Sequence, residues 1–284
     1  MSAPASILVP RPAIGGRTSE SRSRARVSSW RFRRDFEEVQ AFVLFVGCPR
    51  SGHSLLGSLL DAHADAVIAH ELDALRYVAA GWTRGELYAR ILLHDREFTA
   101  AGREWFGYDY TVPGQWQGRF RQLRVIGDKR GGVTTQRLAK DPSLLDRLEA
   151  VVRVPLRILH VTRNPFDNIV TMARRSGESL DQASRRYLEL CDAVASIHSR
   201  RSGAIIDVRH EDLVADVPGR LGAICRWIGL EPDADYLAAC SAVTFDRPRH
   251  TRGEMPWSAG LRERIRTAVG QYEFLRGYAL DDMP

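Results

Sequence analysis

Residues 47–54 read GCPRSGHS and follow the apolar run AFVLFV. Gly47, Gly52 and the hydroxyl of Ser54 match the phosphate-loop spacing G-x-x-x-x-G-K-[ST], but the lysine position holds His53. A strand, a glycine-containing turn and a helix N-terminus make an anion site, because free backbone N–H groups and the positive helix end face the ligand. In a loop that uses ATP the lysine reaches the β/γ-phosphates and the Ser/Thr binds magnesium. Here the imidazole is short and mostly neutral near pH 7. The cation sits three residues earlier, at Arg50. His53 therefore reads first as a packing residue at the helix start, with a direct phosphate or acceptor contact as the alternative.

Other reactive side chains stand where apolar runs end: Glu71 closes AVIAHE, Lys129 closes LRVIGDK and Arg163 closes PLRILHVTR. In doubly wound sheets the carboxyl ends of strands are where ligands bind. Lys129 is one of only two lysines, with Lys140, among 41 basic residues, so its retention is informative. A strand-end arginine such as Arg163 can form charge-assisted bonds to phosphate, and Thr171 follows it by two helical turns. Asp167 is a local partner for Arg163 in the competing structural reading.

These residues need a scaffold of strands alternating with helices. Runs at 41–47, 66–71, 123–129 and 155–163 read as strands, and AIIDVRHEDL contains another. Helical periodicity covers 53–64, 72–95 and 180–201, and a helix begins at Pro165. Residues 96–121 are aromatic, glycine-containing and irregular. The pattern predicts an α/β fold, a three-layer P-loop-like parallel sheet flanked by helices. Residues 39–284 form one domain in this reading.

The formal net charge of +6 is unevenly placed, since residues 1–34 carry eight arginines against one glutamate. Without periodicity, residues 1–38 read as a disordered basic tail, with weak contact to nucleic acid as the alternative. No run approaches the roughly 20 apolar residues of a membrane span, and no secretory signal is evident. Cys48, Cys191, Cys225 and Cys240 are far apart and form no C-x-x-C pair. That points away from a metal site or disulfide framework and toward reduced thiols in a cytoplasmic protein.

The run VGCPRSGHSLLGSLLDAHADAVIAHE resembles the 5′-phosphosulfate-binding segment of sulfotransferases that use 3′-phosphoadenosine 5′-phosphosulfate (PAPS), in the branch with tyrosylprotein sulfotransferases and many bacterial enzymes. RILHVTRNPFDNIVTMARR resembles that family's 3′-phosphate-binding segment. The resemblance implies sulfuryl transfer from PAPS to a hydroxyl of a small molecule, carbohydrate or phenol, releasing PAP without a metal. It places Arg50, Ser51, Gly52, His53, Ser54 and Leu55 around the 5′-phosphosulfate, with His53 replacing the usual threonine. Arg163 and Thr171 then face the 3′-phosphate, joined by Arg249 and Arg252 from FDRPRHTRGEMPWSAGL, with Trp257 as a pocket wall.

Sulfuryl transfer needs a base and fixed positive charge. Glu71 is assigned as base, its spacing from Arg50 resembling that of the family's catalytic glutamate, while Lys129 and Arg50 neutralise the departing PAP. His70 and His53 compete with Glu71, but strand alternation sends His70 and Glu71 to opposite faces, so only one of that pair is expected to meet the substrate. Trp105, Tyr108, Tyr110 and Trp116 line an acceptor cleft or form a small core beneath a loop. An ATP-dependent P-loop kinase is the alternative enzyme. No membrane or nucleic-acid partner is expected, and homo-oligomerisation is left open.

Overall fold

The computed structural model describes residues 18–245 and 247–280. Two N-terminal helices, α1 (Thr18–Arg31) and α2 (Arg33–Glu37), lead into β1 (Ala41–Val46), α3 (His53–Asp61) and β2 (Ala66–His70). Helices α4 (Ala74–Ala79) and α5 (Arg84–Ala100) follow, then a two-stranded hairpin of β3 (Glu104–Trp105) and β4 (Tyr108–Asp109). Next come β5 (Val125–Lys129), α6 (Gly131–Lys140), α7 (Leu144–Val152) and β6 (Leu156–Thr162). The last parts are α8 (Pro165–Ser176), α9 (Leu180–Arg201), β7 (Ile205–Arg209), α10 (His210–Ala215), α11 (Val217–Ile228), α12 (Ala234–Ala242) and α13 (Ala259–Gln271).

The main sheet has the order β2-β5-β1-β6-β7, and every pairing in it is parallel. β1 is central because AFVLFV is apolar at every position and all six residues are buried, as a strand covered on both faces requires. Phe42, Leu44 and Val46 join the core on one side, while Ala41, Val43 and Phe45 join the core on the other. The chain moves from β1 to one side of the sheet and then, at β6, crosses to the other. This reversal opens a crevice beyond the carboxyl end of β1, the topological switch point of such sheets. Arg50, Glu71, Lys129 and Arg163 all lie just at or beyond strand ends on that edge.

Two expectations require correction. The chain expected to be a disordered tail over 1–38 is helical from Thr18 to Glu37, apart from Phe32. Burial explains the order: Ala25 and Phe36 lie in the core against α5, and Phe36 meets the Tyr88 ring edge-on at 5.6 Å. Arg22 and Arg26 both bond Glu86, which also closes the capping box at Thr83. Residues 1–17 of the expected tail lie outside the described residues. The irregular stretch 96–121 contains the β3–β4 hairpin, rooted by Arg103, whose guanidinium bonds Asp61 at 2.6 Å and Asp95 at 2.9 Å in full burial.

Candidate functional site

Gly52 caps α3 in the left-handed region, φ 102°, and contributes no side-chain acceptor. The first N–H groups of α3 are therefore open at the loop. A Cβ on Gly52 would come within 2.4 Å of His210 Nδ1, so glycine is needed for space as well as for φ. The loop is braced by Asn168 Nδ2 donating to Pro49 O at 2.8 Å and by Ser51 Oγ donating to Cys48 O. Leu55 packs against the core under the loop.

His53 turns inward. Its Nε2 meets Val46 O at 2.9 Å, and burial drops its pKa to about 4, so the ring is neutral and donates to that carbonyl. This corrects the contact alternative for the side chain, because the imidazole is spent on the last residue of β1.

Lys129 is 1% exposed, and its stem crosses α3 where Gly57 leaves room. Its Nζ donates to Glu71 Oε1 at 2.7 Å and to Ser54 Oγ at 2.9 Å, and lies 3.3 Å from His70 Nε2. Burial alone would raise the Glu71 carboxyl, but the Lys129 ammonium, its hydrogen bond and Arg130 outweigh it and hold the group below its ordinary value. Burial pulls Lys129 down, with Glu71 opposing. Burial and then Lys129 keep His70 well below its ordinary value.

Both Glu71 and His70 thus face one ammonium, contrary to strand alternation. The reason is local: β2 ends at His70, and Glu71 has φ 63°, which turns its side chain back toward the site. That turn is held by Glu71 N donating to Lys129 O at 3.0 Å. The buried Asp128 carboxylate fixes the continuation by accepting from Leu72 N and Ala74 N.

Arg50, also in the left-handed region at φ 73°, points its guanidinium at the Phe106 ring, 4.2 Å from the centroid. Burial and then the neighbouring Arg175 lower its pKa. Arg163 donates to the carbonyls of Arg50 and Arg249, while its buried Nε has no partner among the described residues. The competing reading, in which Asp167 is the local partner of Arg163, does not hold as a direct contact, because Asp167 is taken by another segment. Asp167 pairs with Arg252 at 2.7 Å and accepts from the backbone N–H groups of Thr251 and Arg252.

Arg252 also donates to the carbonyls of Ala279 and Leu280, so it ties three segments together rather than standing open to a phosphate. Thr171 Oγ1 bonds Asp167 O and Thr251 Oγ1, joining the same clasp. Arg249 extends its side chain toward Glu254. Trp257 is a core residue, donating from Nε1 to Arg252 O and packing on Phe166 at 5.0 Å. Trp105 and Tyr110 gather around His70, whereas Trp116 stacks beneath the Arg119 guanidinium.

Sequence reasoning missed His210. Its buried Nδ1 has no hydrogen-bond partner among the described residues and faces the Gly52 turn, and burial and then Arg163 lower its pKa to about 4. Its position directly after β7 was the available signal. Behind Gly47, His160 Nδ1 and His198 Nε2 both approach Asp207 Oδ1, at 2.6 and 3.0 Å. Among the described residues these three form a group whose geometry could hold a metal ion.

A parallel sheet with a phosphate loop after its central strand, and with cations and a carboxylate at the switch point, defines a P-loop-like group-transfer fold. The model of the sulfotransferase family matches residues 43–235, and the chain belongs to that family. The sulfotransferase domain of the Synechococcus PCC 7002 olefin synthase has a TM-score of 0.54 at 18% identity, covering 87% of this chain and 97% of that one. A sulfotransferase domain from the curacin biosynthetic pathway gives 0.52 at 13%, covering 82% and 98%. At these identities the two share the fold. Among curated proteins no sequence matches.

Proposed function

We propose that the chain transfers the sulfuryl group of PAPS to an acceptor hydroxyl and releases PAP. The observation that carries this reading is the contact of Lys129 Nζ with Glu71 Oε1 at 2.7 Å, directly beside Ser54 of the phosphate loop. A carboxylate and a buried ammonium there supply the base and the fixed charge that the transfer needs.

The residues present fit a nucleotide with two separate anionic ends. The open α3 N-terminus, Arg50 and Ser54 suit the 5′-phosphosulfate. The unpaired Nε of Arg163 suits the 3′-phosphate, and the His210 Nδ1 at the Gly52 turn, near Arg163, is a further polar contact. Glu71 takes the acceptor proton, and Lys129 and Arg50 face the charge that develops as PAP leaves. In this reading Arg50, Lys129 and Arg163 do the electrostatic work that magnesium does in a kinase. The kinase alternative is weaker because the His53 side chain, in the lysine position, is neutral and turned into the core.

Reading the protein as cytoplasmic fits its four buried free cysteines, and no described helix is long and apolar enough to cross a membrane. Glu71→Gln tests the mechanism. It should bind PAP as the parent does and lose turnover by about a hundredfold or more, the scale of general-base catalysis. Near-parental turnover would move the role to His70, whose Nε2 faces the same ammonium.

A further inference from the structure

The β3–β4 hairpin turns through Phe106 at φ 52° and Gly107 at φ 80°. These are the two left-handed positions of a two-residue type I′ turn, where Asn-Gly is the favoured pair. A bulky aromatic side chain in the first position is strained, and such strain concentrates where function holds it in place. What holds it here are two guanidinium groups, Arg50 of the phosphate loop at 4.2 Å and Arg175 of α8 at 5.9 Å from the ring centroid.

Around that tip the aromatic side chains are contiguous. Trp105 lies 5.1 Å from Phe106 and 5.3 Å from His70, while Tyr108 lies 6.4 Å from Tyr110 and 6.2 Å from Phe245. Phe106, Tyr108 and Phe245 are 39, 38 and 65% exposed, so a ligand can reach them. The inner end of this wall is the reacting centre, since His70 touches Lys129 and Tyr110 meets Ser54.

We propose that the acceptor is a phenol, seated against the Phe106, Tyr108 and Phe245 rings with its hydroxyl toward Glu71, and that Phe106 selects for it. The proposal rests on the PAPS-dependent reading above. Ring faces reward a planar aromatic partner through offset and edge-to-face contacts. The chemistry agrees. Glu71, ionised beside Lys129, is a weak base, and a phenol hydroxyl near pKa 10 gives up its proton to a weak base far more readily than an alkanol does. In the transfer the phenol proton passes to the Glu71 carboxylate and the phenol oxygen bonds to sulfur. The bond from sulfur to the 5′-phosphate oxygen breaks, and PAP departs with the electron pair.

The test uses the full chain, first saturated with PAP and titrated with 2-naphthol, decahydro-2-naphthol and N-acetylglucosamine, then assayed for turnover of each with PAPS. Phe106→Asn removes the ring while suiting the turn, so the hairpin is kept. The parent should bind 2-naphthol and favour it in kcat/KM by about tenfold or more over the other two. Phe106→Asn should raise KM for 2-naphthol about tenfold and leave KM for the other two acceptors nearly unchanged, since any change from releasing Arg50 is common to all three. PAP binding without 2-naphthol binding, equal or better turnover of the saturated alcohol or the sugar, or equal effects of Phe106→Asn on all three would overturn the proposal alone. Absence of PAP binding would overturn the nucleotide reading beneath it as well.

Discussion

At the scale of single residues, side chains in the loop region divide between holding the loop and facing its ligand. His53 holds it. Burial takes its pKa from an ordinary 6.5 to about 4, and the neutral ring donates to Val46 O. Between these two values the unfolded chain gains a proton here and the folded chain does not. Stability from this group is therefore full above pH 6.5 and is lost as pH falls toward 4, by at most about 3 kcal/mol. His53→Gln, which keeps a donor for Val46 O, should reduce proton uptake on unfolding by about one proton across that window. Urea midpoints measured from pH 4 to 7 would show it as a shallower slope; an unchanged slope would mean the ring is charged in the folded protein. The sequence allowed both roles for His53, because residue type and position do not reveal which way a ring turns. Arg252 was equally ambiguous, since its partner Asp167 is 85 positions away and becomes a neighbour only through folding.

At the scale of elements, the site depends on turns that depart from regular structure. β1, β5 and β6 were readable to within about two residues, because parallel strands buried on both faces are continuous apolar runs. The hairpin was not readable, since its strands are two residues each and its side chains carry no alternation long enough to register. The side on which Glu71 falls was hidden for a related reason. Alternation predicts opposite faces for His70 and Glu71, and a positive φ at Glu71 cancels it. What roots the hairpin is the buried Arg103 bridge to Asp61 and Asp95. Arg103→Met leaves two buried carboxylates without their cation and should destabilise the protein by about 3–5 kcal/mol in urea unfolding. A loss below about 1 kcal/mol would mean the carboxylates are relieved by solvent or protons.

At the scale of the whole molecule, the N-terminal arginines serve the fold. Composition suggested a solvated tail, because α1 is polar overall, and over residues 22–31 Ala25 alone is fully buried. Its order comes from the packing of Ala25 into the core against α5, with Glu86 adding to it by accepting from Arg22 and Arg26 while it closes the α5 capping box. Removing residues 1–31 should lower Tm by several degrees, consistent with loss of about 1 kcal/mol or more, while PAP affinity stays unchanged. A parallel loss of PAP affinity would tie α1 to the site. In the proposed reading GCPRSGHS and Arg163 receive a nucleotide with separate 5′ and 3′ anionic groups. Calorimetry with PAP and with ATP, each with and without magnesium, on the parent and Arg163→Ala, tests it most directly. PAP should bind without magnesium, Arg163→Ala should weaken it about 10- to 100-fold through loss of a charge-assisted contact, and ATP should bind poorly in either condition. Tight magnesium-dependent ATP binding with no response to PAP would mean that the loop serves a triphosphate instead.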